Sequence, residues 1–191
     1  MRSEKIHRLL MGILAAAAVL AGCSSGNPTS YHIRGDVDFS YIKKVAVLPF
    51  KNLAPQRNAG EIVRQMVINE LLASGTVDIV VPGDVVAAMN RVGVKDVSSL
   101  SAEEIRGVGK ALKVQAVIFG TVEKFGAVGL APEVTVTMMM AETDSGTVIW
   151  SVTQTSGGAG FATKHLGARV PTMSETAMKV VRQAVGTLAQ Y

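Results

Sequence analysis

The sequence predicts one α/β domain, a mixed β-sheet with packed helices in the order β-α-β-α-α-β-β-β-α. Three observations carry this. Val45-Ala46-Val47-Leu48-Pro49-Phe50 is a continuous apolar run, the pattern of a strand covered on both faces. Ile62, Met66, Ile68, Leu71 and Leu72 then recur at helical spacing. Further on, two strand-like segments flank Thr143-Asp144-Ser145-Gly146, a tight-hairpin signal.

Taken in order, the first strand ends at Pro49, and Asn52 to Asn58 reads as a loop. The first helix runs from Glu61 to Ala73 and is closed by Gly75. Val77 to Val81 is a second short strand, ended by Pro82-Gly83, with Asp84 placed to cap a helix containing Val85, Val86 and Met89. Gly93 ends that helix. Ser101 and Glu104 form a capping box, which starts a third helix reaching Lys113. Three strands follow, at 115–125, 133–142 and 147–155. Residues 156–171 are Gly-rich, and Thr172 to Gln190 reads as a last helix with Met178, Val181, Val185 and Leu188 on one side.

Ahead of this domain the chain has another character. A basic head, Met1 to Arg8, precedes an apolar run, Leu9 to Leu20, and then Ala21-Gly22-Cys23. This is the order of an export signal, and the apolar run falls short of the roughly 20 residues of a membrane span. Leu20-Ala21-Gly22-Cys23 resembles a bacterial lipobox. That resemblance implies cleavage before Cys23 and acylation of its thiol, so residues 1–22 are a signal peptide and Cys23 a lipidated first residue. Residues 23–42 begin with small polar side chains and show no sustained period, and they read as a flexible tether. His32, Asp36 and Asp38 fall within it.

Composition narrows the function classes. Loss of residues 1–22 removes Arg2, Lys5 and Arg8 against Glu4, which lowers the formal charge from +4 to +2. So small a charge, without a block of cations, predicts no nucleic-acid partner. With Cys23 the single cysteine and committed to lipid, disulfides and cysteine-based metal sites are excluded.

The motifs that could carry chemistry fail on spacing. Gly107-Val108-Gly109-Lys110 lacks the phosphate-loop glycine, where Glu104 stands, and the following Ser or Thr, where Ala111 stands. The plainer reading is a glycine-bearing amphipathic helix. Gly157 to Lys164 fails because Thr163 precedes the lysine. His32 and His165 belong to no ligand-spaced cluster, and no Gly-x-Ser-x-Gly elbow is present. Hence no catalytic residue, metal, cofactor or small-molecule substrate is predicted. Trp150 and the inward members of Met138-Met139-Met140 read as core, with an interface as the alternative for Trp150. The Gly-rich segment reads first as a mobile loop, with a partner contact through Phe161, Lys164, His165 and Arg169 as the sharper alternative.

Three segments carry a family resemblance: Val45 to Asn52, Ala116 to Val122, and Thr143 to Ser151. Together, behind a lipobox, they resemble the CsgG/LpoB superfamily of envelope lipoproteins. The resemblance implies a fold like the TolB N-terminal domain, a non-enzymatic role, and an envelope protein or a second copy as partner. Ser24 after the cysteine implies, by analogy with such lipoproteins, the outer membrane. The link from Gly126 to Pro132 is too short for the transmembrane hairpins of a CsgG-type channel, and the Gly-rich loop is unsuited to them. An LpoB-like activator of a cell-wall synthase needs a long tether, whereas 20 residues span at most about 70 Å. The favoured expectation is an outer-membrane-anchored, periplasmic binding or assembly module at 43–191; a synthase activator and a periplasmic hydrolase are the alternatives.

Overall fold

The apolar run at Val45 becomes the middle of a parallel trio. The computed structural model describes residues 29–129, 131–157 and 169–188. Its elements are β1 (Thr29–Ile33), a single 3-10 turn (Phe39–Tyr41), β2 (Lys44–Val47), β3 (Lys51–Asn52), α1 (Ala59–Ser74), β4 (Asp78–Ile79), α2 (Pro82–Val92), α3 (Ala102–Leu112), β5 (Ala116–Val128), β6 (Ala131–Glu142), β7 (Val148–Gly157) and α4 (Met173–Gly186). The domain is a single mixed α/β unit whose sheet runs β1-β7-β6-β5-β2-β4, with the short β3 also on β5. β2 pairs in parallel with β4 and β5, and the other ladders along that path are antiparallel.

β2 and the start of β5 are apolar on both sides because helices cover both. Val45, Val47, Ala116 and Ile118 join the core beneath α1 and α4. Ala46, Leu48, Val117 and Phe119 face the other way, against Val85, Met89, Ile105 and Val108 of α2 and α3. The α3 glycines permit close approach: a Cβ on Gly107 would come 3.0 Å from Val92, and one on Gly109 2.2 Å from the Thr143 Cβ. The phosphate-loop-like tetrapeptide is thus a packing surface. The buried Arg64 of α1 donates from Nε to the Val47 carbonyl at 3.0 Å, satisfying backbone where β2 ends.

In the antiparallel part, sides alternate. Val134, Val136, Met138, Met140, Trp150 and Val152 point into the core shared with Val180, Val181 and Ala184 of α4. Opposite lie Thr135, Thr137, Thr153 and Thr155. Thr137 Oγ1 donates to Glu123 at 2.6 Å and lies 2.9 Å from Thr153 Oγ1, and the Thr135 and Thr155 hydroxyls are 3.2 Å apart.

Four expectations need correction. The stretch read as tether is structured from Thr29: β1 pairs antiparallel with β7, Asp36 pairs with Arg34 at 2.6 Å, and Asp38 accepts the Ser40 amide at 2.9 Å. Its polarity hid it, because the β1 side chains are mostly exposed. Second, α2 begins at Pro82, with Val81 at the cap and Asp84 inside the first turn, since a proline without an amide hydrogen fits the first helical position. Third, the expected link 126–132 is largely strand, as β5 and β6 stay paired out to Val128 opposite Ala131. Fourth, α4 closes at Gly186, before the expected Gln190. The capping box expected at Ser101 is present, and the structure adds a second at Thr172 with Glu175.

Candidate functional site

Of the residues singled out for lipidation and contact, Cys23, Phe161, Lys164 and His165 lie outside the described residues. Arg169 is described, and its guanidinium is engaged. It donates to both carboxylate oxygens of Glu175 at 2.7 and 3.1 Å, while Glu175 also accepts the Thr172 amide at 2.7 Å. The Arg169 hydrogen bond, followed by those from Thr172, holds the Glu175 carboxyl at about 2. Arg169 therefore braces the start of α4.

Register shows what this region adjoins. α4 runs back along β7, because Gln154 Nε2 donates to Gln183 at 3.0 Å and Trp150 Nε1 to Thr187 at 2.9 Å. The first turn of α4 therefore lies where β7 ends, at Gly157. The β5–β6 turn is at this end, beyond Glu133, which pairs with Gly157. β1 starts toward it too, with Thr29 opposite Gln154 and Ile33 opposite Trp150. One pole of the domain thus gathers the entry of the chain into β1, the β5–β6 turn, the exit of β7 and the start of α4.

The opposite pole is a pinned turn. Tyr41 donates its phenol to Glu142, Ser145 Oγ donates to the same carboxylate at 2.5 Å, and Arg106 donates to the Ser145 carbonyl at 2.9 Å. Burial, then the Glu142 bond, pushes the Tyr41 phenol well above its ordinary range, and the Ser145 and Tyr41 bonds lower the Glu142 carboxyl. Nearby, a cavity of about 360 Å³ is lined by Phe39, Ile42, Leu71, Val77, Met140 and Val185. Sequence reasoning missed β1 and this cavity. The alternation of Tyr31 and Ile33 with Ser30 and His32 was the available signal.

Among the described residues, no group of three or more His, Cys, Asp or Glu side chains could hold a metal ion. No described helix is long and apolar enough to cross a membrane.

No family profile and no curated protein sequence matches the chain. Solved structures do. PelC from Paraburkholderia phytofirmans, solved as a dodecamer, aligns over 83% of this chain and 96% of that one, at 19% identity and a TM-score of 0.58. Lipoprotein GNA1162 from Neisseria meningitidis aligns over 76% of this chain and 96% of that one, at 15% identity and a TM-score of 0.50. The chain shares its fold with these proteins. The LpoB C-terminal domain from Salmonella enterica aligns more loosely, at 17% identity and a TM-score of 0.46, over 60% of this chain and 82% of that one.

Proposed function

We propose that this protein is an envelope lipoprotein, acylated on Cys23 and held on the periplasmic face of the outer membrane, that works as a non-enzymatic assembly module through contacts with copies of itself or with another envelope protein. The observation that carries the reading is the placement of a lipobox-like Leu20-Ala21-Gly22-Cys23 just ahead of a domain with the fold of PelC, a protein solved as a dodecamer. The absence of a metal-ligand group or nucleophile elbow among the described residues gives a hydrolase reading no support. The structured β1 weakens the synthase-activator reading, since the chain from Cys23 to Thr29 spans at most about 21 Å.

Two measurements test this. Labelling with a fatty-acid analogue should mark the wild type and leave Cys23→Ala unmarked; label retained in the variant would sink the anchor. Sedimentation of the detergent-solubilised lipoprotein should give a discrete species larger than the 20.0 kDa chain. A monomer that also crosslinks to nothing in intact cells would sink the assembly role.

A further inference from the structure

The two edges of the sheet are built differently. At one end β4 offers two residues, Asp78 and Ile79, and the first is an acid. A short, charged edge is a poor template for another strand. At the other end β1 offers five residues, Thr29–Ile33, with no proline, no charged side chain and no break in its register with β7. None of the usual devices that blunt an edge is present in it.

That edge also carries open backbone groups. Arg34 donates its amide to the Ile149 carbonyl at 3.1 Å, directly beyond the Ile33–Trp150 pair. In an antiparallel ladder, residues that bond one neighbour alternate with residues that face the other side. Ser30 and His32 therefore point their backbone at β7, while Tyr31 and Ile33 point theirs outward. Among the described residues no strand lies on that outer side, and no backbone carbonyl accepts the amide of Tyr31 or Ile33. The Tyr31 side chain is 48% exposed.

Resting on the anchoring and self-assembly reading above, we propose that β1 pairs antiparallel with β1 of a second copy about a twofold axis at Tyr31, joining the two seven-stranded sheets edge to edge. The occupant is a second copy because the strand is complementary to itself. With Tyr31 opposite Tyr31, His32 falls opposite Ser30 and Ile33 opposite Thr29, so no like charges meet and the two phenol rings share one face. The edge strand β4 is too short to serve instead. The ladder ends where the chain turns away, at Arg34, whose carbonyl accepts the Val37 amide at 3.3 Å.

Five residues of edge make a weak contact in solution, and the anchor changes that. Copies held in one bilayer are confined to a plane, which raises the concentration each experiences. The reaches permit it. In the paired strands the two Thr29 residues stand four residue rises apart, about 14 Å. Each Cys23, six residues before its Thr29, reaches at most about 21 Å from it. Both acylated cysteines can therefore enter the same bilayer.

Because Cys23 is the only cysteine and would be acylated, introduced cysteines report on this register in the full-length lipoprotein reconstituted in phosphatidylcholine vesicles. A disulfide needs Cα atoms within about 7 Å, and in the proposed pair only position 31 meets its own counterpart. Oxidation should therefore convert Tyr31→Cys chiefly to a covalent dimer and leave Ser30→Cys and His32→Cys monomeric, whereas Ser30→Cys combined with His32→Cys should dimerise. Dimer from all three single variants alike means random collision and overturns the pairing. No dimer at any position from vesicle-bound protein also overturns it, and an oligomer still seen by sedimentation then assembles through another surface. Tyr31→Pro removes an outward amide and no bond to β7, so adding it to the double variant should abolish that dimer with circular dichroism unchanged; a dimer that persists counts against the inference. Protein that stays off the vesicles with a free Cys23 thiol overturns the acylation reading and, with it, the concentration argument.

Discussion

The two halves of the sheet solve burial differently. β2 and the first part of β5 lie between helices on both faces, and alternate residues of Val45 to Leu48 go to different cores. β6 and β7 share a core with α4 on one face and present a threonine ladder on the other. A doubly covered strand has no polar positions, so its sequence is a plain apolar run. A singly covered strand must alternate, and its open face remains available for other contacts.

The sharpest way to break this comparison is at Trp150, the largest fully buried side chain of the singly covered half. Trp150→Ala should cost about 4 kcal/mol, since it empties the core under α4 and leaves the Thr187 hydroxyl without its indole donor. Urea unfolding measures it, and a loss under about 1 kcal/mol would mean that α4 is not the cover it is described as. Leu48→Ala probes the doubly covered half and should cost about 3 kcal/mol by the same measurement.

Gly109→Ala is next. Its new methyl would sit 2.2 Å from the Thr143 Cβ, so α3 must shift off the β6–β7 turn, at about 1–3 kcal/mol. Thr153→Val then tests the open face. It removes one hydroxyl beside Thr137, and Thr137 keeps Glu123, so stability should change by less than about 1 kcal/mol. A larger loss would show that this face is covered after all.

The smallest effect is electrostatic. The fold lowers the Glu175 carboxyl to about 2, below the usual value of roughly 4.3, so folding favours its charged form. Its contribution is complete above about pH 4.5 and fades as pH falls toward 2. Amide exchange in the first turn of α4 should quicken across that window at low salt, and Arg169→Gln should move the change to higher pH. An α4 start indifferent to acid in both proteins would remove Arg169 and Glu175 from the account.

Most of the fold was legible because its signals are local. The apolar run at Val45, the Ser101–Glu104 cap and the Thr143–Gly146 turn each encode their structure within a few residues, and the Thr172–Glu175 cap, equally local, was passed over. The Gly107–Lys110 segment was legible as helix, but the reason for Gly109 lies in Thr143, far along the chain. β1 was not legible, because its partner is β7 and its five residues bury little of themselves. The cavity near Phe39 was invisible for a similar reason: its walls come from the 3-10 turn, α1, β6 and α4.

By itself, then, the sequence determined the class of fold, the order of its main elements and the signature on which the Cys23 reading rests. Periodicity, caps and spacing act between near neighbours, and no tertiary contact is needed to read them. Only the tertiary structure decided that the chain enters the sheet at Thr29 and that β1 and the β5–β6 turn share a pole. Those facts depend on strand register between segments more than 100 residues apart, where the free energy of pairing is set by surfaces the chain has yet to assemble.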